Sequence, residues 1–329
     1  MEKQEHERCS AFEQLQNNEQ NHSKMFVASL KSRFLNVLKS LQNHFTPLKV
    51  VLLYHAVQAE NTDNTFNNIA ISLANFKDQI KHLKKHINIV SFEQLLQAKK
   101  DAVVLTFDDG YANNLLRVLP VVEAENVPIT IFISSFFMDG KREFWWDELA
   151  FYVTQVSVQK NHSETEKREM YNSHSSKIMP LDQLEKASYI EELFLRENMQ
   201  LPFREEFRPL SLQELKILCN HPLVTIGAHA HKHNRMALFG KEEQHQDVFD
   251  NIKWLEEISG SSPKLFAYPH GGKTAFNSIS KSVVKELNFS HAFAAYSGRI
   301  SANSDKFALP RIHVGNVKGE ELIAKINKF

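Results

Sequence analysis

Apolar runs of strand length alternate along the chain with helical patterns, and this alternation restricts the fold more than any other feature. Segment 76–86 repeats apolar residues with the period of an amphipathic helix, and further helices are expected near 112–125, 242–259, 277–287 and 319–328. The runs that predict buried strands are 50–57, 102–107, 128–134, 223–228, 265–268, 291–296 and 307–314. Strands that alternate with helices are typical of a parallel α/β sheet, and this number of strands favours closure into a barrel.

Two stretches fall outside this alternation. Residues 140–215 contain no strand-like run, and we expect a mostly helical insertion there. Residues 1–23 are rich in Glu, Gln and Asn, which is typical of a disordered tail, and 24–45 have the pattern of a basic amphipathic helix. The sequence therefore predicts an N-terminal extension over residues 1–46 and a barrel domain over 47–329.

Charge and cysteine content bear on partners and compartment. Lys plus Arg and Asp plus Glu both number 39, so no broad attraction to nucleic acid follows and no nucleic-acid partner is expected. The two cysteines, Cys9 and Cys219, favour a reducing compartment over a disulfide framework. No apolar run reaches the roughly 18 residues of a membrane span, and the first residues are too polar and acidic for a secretory signal. We expect a cytoplasmic protein.

The basic helix expected at residues 24–45 leaves one question of location open. A helix with one apolar face and many Lys and Arg residues commonly lies on an anionic membrane surface. The alternative is that its apolar face packs against the barrel. Peripheral contact with the inner face of the membrane is therefore one of two expectations for this segment.

Two adjacent carboxylates close the apolar run at 102–107. Asp108 and Asp109 follow Thr106 and Phe107, and Gly110 comes next. The carboxyl ends of parallel strands form the active-site face of such folds. Adjacent side chains at a strand end diverge, so one carboxylate can bind a metal while the other faces a bound water. The alternative is a solvated Asp-Asp-Gly turn.

Three histidines follow the run at 223–228. His229 and His233 are four residues apart, which places them on one face of a helical turn, whereas His231 points elsewhere. Neutral imidazoles are good ligands for zinc-like metals. A histidine-rich polar loop is the alternative. Together with one of the two carboxylates, the two outer histidines make a catalytic-type ligand set with open coordination positions.

Two further candidates close the later strands. In one, Pro269 and His270 precede paired glycines, which makes a tight loop whose backbone N–H groups can face a ligand. In the other, Arg311 and His313 share one face of a strand. A plain turn and a solvent-facing edge strand are the respective alternatives.

These segments resemble a known family. The TFDDG of residues 106–110, the spacing of His229 and His233, and the LLYHAV of the first strand are similar to the polysaccharide deacetylase family, the NodB-homology fold of carbohydrate esterase family 4. The resemblance covers about residues 48 to 314. It implies a distorted (β/α)7 barrel and hydrolysis of the N-acetyl group of an amino sugar in a glycan or glycan precursor. It also implies a divalent metal, with Zn2+ favoured and Co2+ or Ni2+ as alternatives.

The resemblance also implies roles for individual residues. The base falls on Asp108, and Pro269 and His270 match a loop whose backbone amide helps to bind the oxyanion. Apart from the resemblance, we place Tyr111 and His55 on the substrate side of the site, since His55 ends the first strand and could reach the mouth. The implied metal ligands are Asp109, His229 and His233.

The chain departs from the family pattern at several positions. Many members have an arginine where Ala267 stands and an aromatic residue where His270 stands, and His313 is the candidate for the histidine that protonates the leaving amine. We predict that Arg311 reaches Asp108 and replaces the missing arginine; the alternative is a surface salt bridge. Two other functions remain open: hydrolysis of a non-sugar amide on the same metal site, and a catalytically inactive glycan-binding barrel.

Overall fold

The computed structural model describes residues 47–60, 66, 69–139 and 141–329. Residues Leu48–Phe329 form one compact unit. The predicted tail and basic helix of residues 1–46 lie outside the described residues.

Ten strands and ten α-helices follow one another along the described chain. The strands are β1 Lys49–Tyr54, β2 Ala56–Gln58, β3 Ala70–Ser72, β4 Asn88–Ile89, β5 Ala102–Phe107, β6 Ile129–Ile133, β7 Val224–Ala228, β8 Leu265–Ala267, β9 His291–Phe293 and β10 Ile312–His313. The helices are α1 Leu73–His86, α2 Phe92–Gln97, α3 Leu119–Glu125, α4 Trp145–Lys160, α5 Glu164–Ile178, α6 Gln183–Arg196, α7 Leu212–Cys219, α8 Lys241–Ser259, α9 Ser278–Glu286 and α10 Gly319–Ile326. Helices fill most of the segment between β6 and β7.

The main sheet is parallel and curls back on itself. Its strand order is β10-β1-β5-β6-β7-β8-β9, and β4 adds beside β5. Every strand pair in it is parallel. The segment that leads into β10 forms a bridge from Leu309 to Phe293 of β9, while β10 itself pairs with β1. One segment therefore contacts both ends of the strand order, which brings all the strand ends around a common mouth.

Strand residues are buried on both faces, as a covered parallel sheet requires. In β5, Val103 and Val104 are both fully buried, yet they belong to two different apolar clusters. The larger cluster includes Phe76 of α1 and lies between the sheet and its helices. The smaller cluster includes Phe132 and Phe293 and fills the concave side of the sheet.

Four predicted elements differ clearly from those observed, one of them the strand predicted over 291–296, which is observed only over His291–Phe293. The first predicted strand ends at Tyr54, and beyond His55 the chain enters β2, which pairs with β3 in a separate two-stranded sheet. The last predicted strand shortens to β10 because its earlier residues cross from β9 to β1. The predicted helix over 112–125 begins with a π-helical turn, Asn114–Val118, before α3.

Candidate active site

Side chains from four strand ends meet at one cavity. Asp108 and Asp109 follow β5, His229 follows β7, His270 follows β8, and His313 ends β10. The cavity has a volume of about 380 Å3. The sequence-predicted residues that line it are His55, Asp108, Asp109, His229, His233, His270 and His313. Its apolar wall comes mainly from Ile69, Trp145, Trp146, Tyr171 and Met179.

Three of these residues point their polar atoms at one another. The Oδ1 atom of Asp109 lies 3.4 Å from Nε2 of His229 and 3.1 Å from Nε2 of His233. One ligand atom from each residue falls within 4.8 Å of the others, and all three residues are buried. This is the spacing of one carboxylate and two imidazoles around a shared centre.

The donor set fits a divalent metal. Nδ1 of His229 lies 2.7 Å from the carbonyl oxygen of Ala267, so it donates its proton there and leaves the Nε2 lone pair to face Asp109. Oδ1 of Asp109 is buried and accepts no hydrogen bond from any described residue. A buried carboxylate oxygen without a donor is costly unless a cation completes it. Two imidazoles and one carboxylate match the ligands of catalytic zinc sites, in which a further position stays open.

The loops that present these groups have unusual backbone conformations. Asp109, Ala230, His233 and His270 have φ angles of 75°, 59°, 52° and 61°. The remaining non-glycine residues with positive φ in the described chain are all asparagines, which tolerate this conformation best. Such strain is characteristic of functional sites, where the surrounding structure enforces it.

Electrostatics keep Asp109 ionised. Burial raises the pKa of this carboxyl group, but the neighbouring imidazoles, His233 first, hold the pKa well below its usual value. An ionised carboxylate is the form that binds a metal.

Asp108 is held by Arg311, as predicted from the missing arginine at position 267. Nη1 and Nη2 of Arg311 donate to Oδ1 and Oδ2 of Asp108, each at 2.7 Å. Nη1 also donates to Oγ1 of Thr106 at 3.2 Å, and Nε donates to the carbonyl oxygen of Ala294 at 2.9 Å. Arg311 is fully buried, with its guanidinium 5.5 Å from the ring of Phe132. The fork fixes the rotamer of Asp108 beside the cavity.

The same contact sets the charge of Asp108. Burial raises the pKa of this carboxyl group, but the charges of Arg311 and His229 and the hydrogen bonds from Arg311 outweigh burial and lower it. Asp108 is therefore a carboxylate with a fixed orientation.

His229 depends on a residue that the sequence did not single out. Its backbone N–H donates to Oδ1 of Asn251 at 3.1 Å, and its carbonyl oxygen accepts from Oγ of Ser134 at 2.8 Å. Asn251 lies on α8, fully buried, and its amide also donates to Oγ of Ser135. The available signal was a polar stripe on the buried face of this helix, where Gln244 and Asn251 interrupt apolar positions.

The loop that carries His233 is also fixed by α6 and α8. Nζ of Lys186 donates to Oδ1 of Asn234 at 3.1 Å, and the amide of Gln183 donates to the carbonyl oxygen of Lys232. From α8, a carboxylate oxygen of Asp247 accepts from the backbone N–H of Lys232 at 2.8 Å. The helical segment between β6 and β7 therefore contributes directly to the position of a candidate ligand.

Tyr111 lies in the protein interior and not among the residues that line the cavity. Its hydroxyl donates to Oδ2 of Asp147 at 2.7 Å and accepts from Nε1 of Trp146 at 2.8 Å. The ring of Trp146 is 4.8 Å from that of His233. Burial raises the pKa of Asp147 well above its usual value. Tyr111 therefore positions Trp146, which lines the cavity. The sequence predicted a substrate contact for Tyr111 itself, but Tyr111 does not line the cavity.

The remaining predicted residues surround the cavity mouth. The rings of His55 and His313 are 6.1 Å apart, and both line the cavity. Burial, with a smaller effect of His55, lowers the pKa of His313 to about 4, so its imidazole is neutral near pH 7. Pro269 is buried and is not among the residues that line the cavity, whereas His270 lines it, with its ring 4.8 Å from that of His233. The loop bends at Gly271, where an added Cβ would meet Ala295 at 2.7 Å.

His231 is separate from the ligand set. Its Nδ1 lies 2.9 Å from Oγ of Ser135, and its ring packs edge-on against Phe136. This placement agrees with its interpretation as a bystander.

Comparisons with known proteins give a consistent picture. The sequence profile of the polysaccharide deacetylase family matches residues 96–292. A search among curated proteins gives no significant match. Among solved structures, the chain is similar to the deacetylase PplD of Streptococcus pyogenes in complex with acetate, with a TM-score of 0.58, 16% identity, and coverage of 85% of this chain and 99% of the other.

Two further structures share the fold. IcaB of Ammonifex degensii has a TM-score of 0.56 and 13% identity, covering 85% of this chain and 98% of the other. A de-N-acetylase of Aggregatibacter actinomycetemcomitans has a TM-score of 0.54 and 19% identity, covering 84% and 98%. At these identities the likeness is one of fold, and the predicted deacetylase-type α/β barrel is confirmed.

Proposed function

The chain belongs to the polysaccharide deacetylase family, and from that membership and the geometry of its site we propose that it is a metal-dependent hydrolase of the acetamide group of an N-acetylated amino sugar. The observation that carries this proposal is the pairing of two arrangements in one cavity. Asp109, His229 and His233 converge as a ligand set, and Asp108 is fixed beside them by Arg311.

Asp109, His229 and His233 would hold the metal. When bound, a Zn2+-like ion polarises the acetyl carbonyl and lowers the pKa of a coordinated water from ~16 toward ~7. Asp108 would accept a proton from the attacking water, because it is an oriented carboxylate that is not needed as a ligand. Arg311 keeps the carboxylate from rotating toward the ligand set.

The other cavity residues supply the oxyanion and leaving-group contacts. The described residues provide no acceptor for the backbone N–H of His270, which leaves it available to a substrate oxygen. His313 faces the cavity and is the candidate to carry a proton to the departing amine. Because its imidazole is neutral near pH 7, His313 would first have to gain a proton, and the proton that Asp108 takes from the attacking water is the one available to it.

Release of acetate is the direct test. The purified chain, loaded in turn with Zn2+, Co2+ or Ni2+, would be assayed against nucleotide-linked, lipid-linked and polymeric N-acetyl sugars and against acetylated non-sugar amines. Acetate from sugars alone supports the proposal, and acetate from the non-sugar amines alone supports the alternative amide hydrolase. Sugar binding without acetate release under any metal would identify an inactive glycan-binding barrel.

Location at a membrane stays a separate proposal. No described helix is long and apolar enough to cross a membrane. The segment at residues 24–45 would act by peripheral contact, from a cytoplasmic position. Co-sedimentation of the full chain with anionic liposomes, compared with a variant whose Lys and Arg residues in that segment are changed to Gln, tests this. Equal sedimentation of the two would remove the basis for membrane contact.

A further inference from the structure

A second cavity adjoins the catalytic one. Its volume is about 430 Å3, and it shares Ser175 and Met179 with the catalytic cavity. Both shared residues lie on or just after α5, one helical turn apart. Asn172, Ser176 and Arg235 complete its polar lining. The second cavity, here called the Arg235 cavity, therefore adjoins the catalytic cavity along α5.

The Arg235 cavity has a positive charge and, among the described residues, no acidic lining residue. Nη2 of Arg235 donates to Oγ1 of Thr274, and its Nε is buried without an acceptor. No carboxylate of the described chain lies within ion-pair distance of Arg235, whereas the guanidinium groups of Arg208 and Arg311 each pair with a carboxylate through two hydrogen bonds. A half-buried guanidinium without a carboxylate partner keeps its charge available to an anionic group in the cavity.

The position of Arg235 ties it to the catalytic centre. It lies two residues beyond His233, so their Cα atoms are at most roughly 7 Å apart. The loop that carries both residues is held from two helices through Lys186, Gln183 and Asp247. An anion bound by Arg235 would therefore lie at a fixed distance from the reacting acetamide.

We propose that the Arg235 cavity binds an anionic group of the substrate, so that the preferred substrate is an acidic N-acetylated saccharide. This rests on the proposed deacetylase function and specifies its substrate class. The guanidinium would pair with phosphate or carboxylate oxygens, and Asn172 lines the same cavity with an amide that can donate a hydrogen bond. Phosphate esters and uronic acids present the same chemistry to such a site.

The test compares matched saccharides on the metal-loaded full chain. The probes are a neutral N-acetylglucosamine disaccharide, the same disaccharide bearing a phosphate, and one bearing a uronate. We expect the wild type to have a lower KM for at least one acidic probe, and Arg235→Gln to raise that KM about tenfold or more, the usual loss for one charge-assisted hydrogen bond. The KM for the neutral disaccharide should change much less. The two acidic probes separate phosphate from carboxylate recognition.

A control variant and a binding measurement make the outcome unambiguous. Arg196→Gln removes one positive charge from a surface pair with Glu192 on α6, away from both cavities, and should leave all three KM values unchanged. Calorimetric binding of the acidic probes to wild type and Arg235→Gln does not depend on turnover, so it separates a failure of this proposal from a failure of the deacetylase function. Equal binding of neutral and acidic probes, or an equal loss for both in Arg235→Gln, would overturn the proposal.

Discussion

Replacing Arg311 by lysine should separate the orienting role of the guanidinium from its charge. Arg311 makes four hydrogen bonds in the protein interior, two of them parallel contacts with Asp108 at 2.7 Å. Lysine keeps the positive charge and three donors, but a single ammonium cannot form the planar fork. Asp108 would then keep a counter-ion and lose its fixed rotamer.

The magnitude follows from these contacts. A hydrogen bond to a charged group contributes about 1.5–3 kcal/mol, and a barrier increase of about 1.4 kcal/mol lowers the rate tenfold. Loss of one arm of the fork in the transition state therefore predicts a fall in turnover of about tenfold or more. Stability should fall by roughly 1–3 kcal/mol, the scale of a fully buried side chain that no longer fills its site.

Lysine is more informative than an apolar replacement. Arg311→Met would leave Asp108 as a buried carboxylate without its partner, which costs about 3–5 kcal/mol and confuses folding with catalysis. Arg208→Lys is a matched control. Arg208 forms the same fork, at 2.7 Å to each oxygen of Glu214, but this carboxylate does not line the catalytic cavity, whereas Asp108 does.

The assay is turnover at saturating substrate, with metal content and thermal unfolding measured on the same samples. We expect Arg311→Lys to lose activity at unchanged metal content, and Arg208→Lys to lose only stability. Full activity in Arg311→Lys would refute the orienting role. An equal loss of turnover in both variants would assign the effect to general destabilisation.

Three further predictions concern the remaining site residues. The double variant His229→Ala, His233→Ala should lose most of its metal, whereas His231→Ala should keep its metal content unchanged. Elemental analysis after mild chelation measures both, and full metal occupancy in the double variant would contradict the ligand assignment. Asp108→Asn should keep the metal and lower turnover by about 10²–10⁴, the usual effect of removing a general base; near-normal turnover would exclude that role. His313→Gln should lower amide hydrolysis by about 10²–10⁴ but affect p-nitrophenyl acetate little, since that leaving group needs no proton; equal losses on both substrates would argue against a proton donor.

The sequence predicted the strand ends because their signals are local. An apolar run followed by paired acids or closely spaced histidines can be read from neighbouring residues, and β5 was predicted with its observed bounds. The contact between Arg311 and Asp108 spans 203 positions. It was predictable only because a buried base beside a metal needs an orienting cation, and Ala267 could not provide one.

Other features depend on packing that no local pattern records. The last strand was predicted too long because its residues pair first with β9 and then with β1, and a run of apolar residues looks the same in either case. Asn251 was missed because its role is to accept a hydrogen bond from the backbone N–H of His229, 22 residues away in the sequence. Tyr111 was expected on the substrate side. The two partners of its hydroxyl lie 35 and 36 residues away on α4, so no neighbouring residue in the sequence indicates them.

The helical segment between β6 and β7 is best understood as part of the site. Parallel strands can bring the reacting groups to one mouth, but they leave that mouth open, and α4 and α5 close one side of it with Trp145, Trp146 and Tyr171. Helix α6 adds Lys186, which is nearly fully buried and whose pKa burial lowers to about 8. Burial of an ammonium group opposes folding. The hydrogen bond that Lys186 donates to Asn234, next to His233, offsets part of this cost and holds the loop. The strands thus bring the reacting groups together, and the helices determine how firmly the His233 loop is held and how one wall of the cavity is shaped.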